Sequence, residues 1–121
     1  MFDNQNKPTG VKRIHLATLN SLRAFMWLFK NESAFKQELL LLLMAIPMTF
    51  IFDITMKEQL ILILAVLFII FTEIINTAIE AVVDRVGLEF HPLSGLAKDL
   101  GSAAVFVSLI IASIIWLAVL V

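Results

Sequence analysis

Residues 72–84, Thr-Glu-Ile-Ile-Asn-Thr-Ala-Ile-Glu-Ala-Val-Val-Asp, decide how the rest of this chain is interpreted. Wound as an α-helix at about 100° per residue, this segment gathers its polar side chains on an arc of roughly 100° and its aliphatic side chains on the remainder. We call this polar arc the acidic stripe; it consists of Glu73, Asn76, Thr77, Glu80 and Asp84. The preceding residues 60–71 are apolar without interruption. The helix therefore runs from hydrocarbon towards water, and a carboxylate buried along it is costly and indicates function.

The composition argues against an ordinary soluble domain. Of the 121 residues, 60% are hydrophobic, and the mean hydropathy is +0.97. A chain this short cannot hide so much apolar surface by folding on itself, so we expect it to lie in lipid. The net charge of -1 argues against nucleic acid as a partner, because phosphate binding needs a basic excess. Without cysteine there is no disulfide framework, thiol nucleophile or zinc–thiolate site.

Hydropathy along the chain predicts an all-α membrane protein, with three transmembrane helices after an N-terminal amphipathic surface helix. The basic and aromatic character of the first helix is typical of one lying along the membrane surface. Pro47 is expected to kink the first membrane helix. Within a single membrane domain over residues 1–121, the predicted segments are a surface helix at 11–30, membrane helices at 34–52, 58–86 and 98–121, and a cytoplasmic loop at 87–97.

Basic residues predict the orientation. They cluster before the first span and beside residues 87–97, so both regions are predicted to be cytoplasmic and the C-terminus to face the other side. The acidic stripe then opens towards the compartment that holds ATP and magnesium. Counting about 1.5 Å per residue through hydrocarbon of about 30 Å, Glu80 lies at the boundary and Glu73 roughly 10 Å below it.

Two features of the last predicted span concern packing rather than chemistry. Ala104, Ser108 and Ala112 recur every four residues, the small-residue spacing that allows membrane helices to approach closely. Trp116, like Trp27, is most often an interfacial belt residue in such a position.

The acidic stripe offers a base and a metal ligand. Glu73 lies in apolar surroundings that disfavour its charged form, which makes a carboxylate a useful base for a hydroxyl arriving from the lipid side. Glu80 and Glu32 both lie at the predicted cytoplasmic boundary, and magnesium prefers a few carboxylates together with substrate phosphates. Asn76, one turn from Glu73 and from Glu80, is placed to orient either by hydrogen bonding.

Several polar residues are candidates for contacts with a nucleotide. Lys98, Arg13 and His91 would face phosphates, whereas Asp99 and Glu89 would face ribose or base. A Walker-type lysine, a glycine-rich phosphate loop and the protein-kinase signatures do not occur, so any kinase here has another design.

Most of these candidate residues, though not Glu73, also have a purely structural interpretation. Lys98 would be a snorkelling anchor, His91 a loop residue, and Asp84 a boundary charge. Glu32 would pair with Lys36 one turn later, and Thr77 would bond back to its own helix.

Three motifs together resemble the prokaryotic integral-membrane diacylglycerol kinase family. They are Ala-Phe-Lys-Gln-Glu at 34–38, Glu-Ile-Ile-Asn-Thr-Ala-Ile-Glu-Ala-Val-Val-Asp-Arg-Val-Gly at 73–87, and His-Pro-Leu-Ser-Gly-Leu-Ala-Lys-Asp-Leu-Gly-Ser-Ala-Ala-Val at 91–105. The similarity extends over nearly the whole chain beyond Gly10. It implies a homotrimer of three-span subunits in the bacterial inner membrane, with composite active sites at the cytoplasmic boundary and no other protein partner.

The resemblance also assigns roles to individual positions. It implies that Glu73 is the catalytic base, that Glu32 and Glu80 are ligands of Mg²⁺, and that ATP is the phosphate donor for a membrane lipid. The implied nucleotide-binding residues are Arg13, Asn20, Glu32, Asn76, Glu80, Glu89, Phe90, His91, Lys98 and Asp99. The implied lipid-binding residues are Arg13, Glu38, Glu73, Ser102 and Trp116.

The implied reaction is transfer of the ATP γ-phosphate to diacylglycerol, which gives phosphatidic acid in phospholipid recycling. A related branch of the family phosphorylates undecaprenol instead. An alternative of another class is a proton- or cation-conducting oligomer, since a carboxylate within a span also binds ions. Against conduction, Glu32, Glu80 and Lys98 cluster at one surface rather than along a path. A purely structural scaffold would leave the acidic stripe unexplained.

Overall fold

Four α-helices make up the computed structural model, which describes residues 5–121 and contains no strand in that range. They are α1 (Gly10–Asn31), α2 (Ser33–Met48), α3 (Met56–Val86) and α4 (Pro92–Leu120). The predicted all-α class is therefore confirmed.

The chain divides into two compact units, one comprising the described residues up to Lys36 and the other Gln37–Val121. In the first unit, α1 is one residue longer at each end than the predicted 11–30. The apolar side chains of Ile14, Leu22 and Phe29 on α1 are at least half exposed. Within the same unit the Phe25 and Phe35 rings stack, with centroids 6.4 Å apart.

The second helix is shorter than predicted. α2 ends at Met48, after Pro47, rather than at Phe52. The following backbone tightens into a turn in which the N–H groups of Phe50 and Ile51 each donate to the carbonyl three residues earlier, at 3.1 Å. Its 16 residues reach about 24 Å at 1.5 Å per residue, short of the roughly 30 Å of a bilayer core.

Two helices, α3 and α4, are long and apolar enough to cross a membrane by length and composition. A reciprocal capping box starts α3: Glu58 N–H donates to Thr55 Oγ1 at 3.2 Å, and Thr55 N–H donates to Glu58 Oε1 at 3.1 Å.

The fourth helix starts earlier than predicted, at Pro92 rather than Lys98. The His91 ring accepts a hydrogen bond from Leu93 N–H at 3.1 Å, and proline at the first helical position is preorganised for a helix. The predicted loop of 87–97 is therefore reduced to residues 87–91, and Lys98 and Asp99 lie on the helix.

Helices α3 and α4 pack against each other in antiparallel orientation. Two hydrogen bonds join their apolar parts: Thr72 Oγ1 donates to Ser108 Oγ at 2.9 Å, and Trp116 Nε1 donates to Leu62 O at 3.1 Å. Between these contacts lies an apolar core of Ala65, Ile69 and Ala112, packed by Ile115 and Trp116. Trp116 is therefore anchored to α3 near the start of that helix, and its interpretation as a belt residue stays a prediction.

The small residues that allow this close approach differ by one from the predicted set. Ser108 and Ala112 are buried, as predicted, but Ala104 is exposed and Gly101 is buried instead. At 3.6 residues per turn, positions 101, 108 and 112 fall within about 40° of one another, whereas position 104 lies about 60° from position 101.

The hydroxyl contact between α3 and α4 generates a first prediction. A double-mutant cycle of Thr72→Val and Ser108→Ala should give a coupling free energy of about 0.6 kcal/mol, the average for hydrogen bonds between membrane helices. Unfolding in mixed detergent micelles measures it. Pairing Thr72→Val with Ser113→Ala is the control, because the Ser113 hydroxyl donates to Leu109 O of its own helix. Strict additivity for Thr72 and Ser108 would contradict the prediction.

Candidate functional site

The acidic stripe on α3 passes from buried to exposed along the helix. Glu73, Asn76 and Thr77 are each 8% exposed, Glu80 is half-buried, and Asp84 is exposed. The Thr77 hydroxyl donates to Glu73 O at 2.9 Å, so it bonds back to its own helix as its structural interpretation requires. The stripe therefore leads from a buried carboxylic acid to the surface.

Asn76 lies between Glu80 and helix α4. Its Nδ2 donates to Glu80 Oε1 at 3.3 Å, which is one of the two orientations predicted for this amide. Its Oδ1 is buried and has no hydrogen-bond partner among residues 5–121. One carboxylate oxygen of Glu80 is thus held by a buried amide.

A second buried acid comes from α2. The carboxyl group of Glu38 lies close enough to Glu73 for their charges to repel. Glu38 Oε2 is buried and accepts no hydrogen bond from the described part of the chain. Helix α2 therefore adds a carboxylate beside the predicted base.

Helix α4 contributes a cation at the outer end of the stripe. Lys98 Nζ lies 2.8 Å from Asp84 Oδ1, and both side chains are nearly half exposed, at 44% and 48%. The ammonium group is also near enough to Glu80 to be attracted by its charge. A pair this exposed adds little to stability, because water screens it. The ion pair instead holds the Lys98 ammonium group beside the stripe. Asp84 therefore positions Lys98, in addition to being a charge at the membrane boundary.

The short connection between α3 and α4 borders a polar cleft of about 270 Å³. Its polar lining includes Asp84, Glu89, His91, Ser94 and Lys98. The Glu89 carboxylate folds back over Gly87. A Cβ added to Gly87 would lie within 2.6 Å of both carboxylate oxygens of Glu89. Phe90 is 92% exposed beside this cleft. Three predicted nucleotide contacts, at 89–91, are thus at the cleft together with Lys98.

The predicted nucleotide residues of α1 belong to the other unit. Arg13 is exposed, and Asn20 is half-buried and accepts a hydrogen bond of 3.4 Å from Arg23 Nη1. Glu32 is half-buried just after α1. The Lys36 ammonium group lies 5.7 Å from the Phe29 ring centre, so its contact is with this ring rather than with Glu32.

The metal assignment stays a prediction, because Glu32 and Glu80 belong to different units. Among residues 5–121, no group of three or more His, Asp or Glu side chains is arranged to hold a metal ion. A hard cation at Glu80 would therefore need oxygens from elsewhere, and a nucleotide carries them. The Glu80 carboxylate, oriented by Asn76, fits magnesium in this mode.

The remaining predicted lipid contacts lie on α4. Ser102 is exposed, as is the predicted nucleotide residue Asp99. Trp116 is half-buried, lies opposite Leu62 and is about 16 Å along α3 from Glu73, at 1.5 Å per residue. It borders an apolar cavity of about 350 Å³ between α2, α3 and α4.

The sequence analysis did not identify two glycines of this region as parts of the site. Gly101 packs against Asn76, and Gly87 makes room for the Glu89 carboxylate. A glycine shortly after a polar helix face is a weak signal by itself. The role of Gly101 is visible only once α3 and α4 are paired, because its neighbour Asn76 lies on the other helix.

Comparison with known proteins gives consistent results. A family model described as prokaryotic diacylglycerol kinase matches residues 19–120. The chain is 46% identical to a diacylglycerol kinase of Pseudomonas aeruginosa over 93% of its length and 91% of the relative's. It is 44% identical to that of Haemophilus influenzae, over 91% and 93% of the two chains. For the Escherichia coli K12 protein the identity is 43%, over 92% and 91%.

His91 lines the cleft and also caps the N-terminus of α4, and its capping role generates a second prediction. His91→Ala removes the acceptor for Leu93 N–H and should destabilise the start of α4 by about 0.5–2 kcal/mol, whereas His91→Asn keeps a capping oxygen. Amide hydrogen exchange at Leu93 measures this, with faster exchange expected in the alanine variant alone. Equal exchange rates in the two variants would show that the cap does not stabilise this end.

Proposed function

The chain belongs to the prokaryotic diacylglycerol kinase family, and on that premise we propose that it transfers the γ-phosphate of ATP to the hydroxyl of diacylglycerol. The products are phosphatidic acid and ADP, and the role is phospholipid recycling. The observation that carries this proposal is the burial of Glu73 on the helix face that leads, through Asn76 and Glu80, to the polar cleft. That face links a lipid-accessible depth to a surface suited to a nucleotide.

Glu73 acts as the general base in this proposal. The acceptor hydroxyl oxygen forms a bond to the γ-phosphorus, while the bond from that phosphorus to the bridging oxygen of ADP breaks. The hydroxyl proton passes to the Glu73 carboxylate. A carboxylate buried on the membrane side of the stripe can meet the hydroxyl of a lipid, which a base in bulk water cannot.

Glu80 and Glu32 hold Mg²⁺ in this proposal, and Asn76 orients the Glu80 carboxylate. Magnesium would neutralise the phosphate oxygens during transfer. Two carboxylates with phosphate oxygens and water are an ordinary ligand set for this ion.

The polar cleft binds the nucleotide. Lys98, held by Asp84, supplies positive charge for the phosphates, and His91 supplies a donor. The exposed Phe90 ring offers a face for the adenine, and Glu89 and Asp99 accept from ribose or base. Arg13, Asn20 and Glu32 complete the site from α1 and the residue that follows it.

The lipid lies on the membrane side of the stripe. Glu38 and Ser102 contact the glycerol region, and Arg13 contacts it from the surface helix. Trp116 and the apolar cavity of α2, α3 and α4 lie farther from the cleft than Glu73 does. This order along α3 supports contact of the hydroxyl end of the lipid with Glu73 and of an acyl chain with the cavity beside Trp116.

The two apolar helices and the family indicate a membrane protein. We propose that it resides in the bacterial inner membrane, with the N-terminus and the cleft in the cytoplasm. Helix α2, continued by residues 49–52, forms the third span, and the hydrogen-bonded turn there leaves few backbone groups unsatisfied in lipid. Only 11% of the α4 span is buried, which supports further cover by lipid and by the other copies of a homotrimer.

The function is tested by offering diacylglycerol and undecaprenol separately with γ-labelled ATP. Label should enter phosphatidic acid, and Glu73→Gln should lower the rate by about 10²- to 10⁴-fold, the usual contribution of general acid–base catalysis. Glu58→Gln is the matched control: it is the same substitution on the same helix, and glutamine also serves in a capping box. Label in undecaprenol alone would assign the other branch, and a near-normal rate for Glu73→Gln would remove its base role.

The metal assignment is tested by magnesium titration at saturating ATP. Glu32→Gln and Glu80→Gln should each raise the magnesium concentration for half-maximal rate, because an amide is a weaker ligand than a carboxylate for a hard cation. Glu58→Gln again provides the reference curve. A curve that superimposes on this reference would take the substituted residue out of the metal site.

A further inference from the structure

Gly101 on α4 occupies a place that no other residue can fill without moving the site. The residue is buried, and a Cβ built on it would overlap Asn76 Oδ1 and lie 3.2 Å from Asn76 Cγ. The first of these contacts is impossible for a real side chain. Either Asn76 or the helix pairing must give way if this position carries a methyl group.

The Asn76 side chain has little freedom to give way. It is 8% exposed, and the amide is planar, so its oxygen and nitrogen move together. Its Nδ2, at the other end of the same amide, donates to Glu80 Oε1. Any rotation that removes Oδ1 from a Cβ at position 101 therefore also displaces the donor that holds Glu80.

We propose that Gly101 is a positioning residue of the site, which sets the orientation of the Glu80 carboxylate through the Asn76 amide. The inference rests on the proposed function in one respect, namely that Glu80 holds the metal ion of the nucleotide. Gly101 itself touches neither the nucleotide nor the lipid in this account. Its contribution is the space it leaves between α4 and the stripe.

Val107, on the same helix, provides an internal comparison. Val107→Ile also adds one carbon to α4, at a side chain that is 51% exposed and lines neither the cleft nor the apolar cavity. Alanine is a better helix former than glycine, so Gly101→Ala should favour α4 itself. A loss confined to Gly101→Ala would therefore come from the contact with Asn76.

The experiment measures metal binding directly, without turnover. Mn²⁺ is titrated into the full-length protein in lipid–detergent micelles with ADP, and the signal of unbound Mn²⁺ is followed by electron paramagnetic resonance. Gly101→Ala should weaken binding by about tenfold or more, as expected when a partner that orients a metal ligand is disturbed. Val107→Ile should bind as the wild type does. Equal binding by Gly101→Ala, or wild-type protein that binds no Mn²⁺, would overturn the proposal.

A second background tests whether the effect passes through Asn76. In Asn76→Ala the obstructing amide is gone, so adding Gly101→Ala should not weaken Mn²⁺ binding further. If Gly101→Ala alone does not fold, the double variant should recover folding, because alanine at 76 leaves room for the new methyl group. A full second loss of binding, or no recovery of folding, would contradict the proposal.

Failure of the positioning role and failure of the proposed function give different results. If wild-type protein phosphorylates diacylglycerol but binding is unaffected by Gly101→Ala, only the positioning role is wrong. If binding responds as expected but no lipid is phosphorylated, Gly101 still positions the metal ligand and the proposed reaction is wrong.

Discussion

Polar side chains inside an apolar layer must find partners there, because neither hydrocarbon nor aliphatic side chains offer any. In the second unit this constraint is met mainly along the line where α3 meets α4. Thr72 bonds to Ser108, and the Trp116 indole bonds to Leu62 O. These contacts fix how the two helices are aligned, and that alignment brings Lys98 and Gly101 to the acidic stripe.

Much of the fold follows from local pattern. The all-α class, the long third helix and the stripe along it follow from a 3.6-residue period and uninterrupted apolar runs, which act within one segment. Helix ends were less predictable. Pro92, Ser94 and Gly95 suggested a loop, because these residue types are common in loops. The His91 cap and Pro92 at the first helical position instead start α4 there, and composition alone does not reveal a cap. Likewise, the apolar residues after Pro47 suggested more helix, whereas the backbone turns there.

The candidate site was likewise predictable only where its contacts lie within one helix. The contact between Asn76 and Glu80 was predictable because residues four apart on a helix are neighbours. The proximity of Glu38 to Glu73, the pairing of Lys98 with Asp84 and the fit of Gly101 against Asn76 each join different helices. Such contacts depend on the register between helices, which no single segment encodes. The predicted pairing of Glu32 with Glu80 spans the two units and has the same dependence.

The brevity of the connection at residues 87–91 has a consequence for how the protein is made. Closing a loop of so few residues costs little chain entropy, so α3 and α4 can find each other soon after both have left the ribosome. Their matching hydroxyl, indole and small-residue contacts are all local to this helical hairpin. The hairpin can therefore enter the bilayer as one preassembled element, with the Thr72 hydroxyl and the Trp116 indole already bonded between its two helices during insertion.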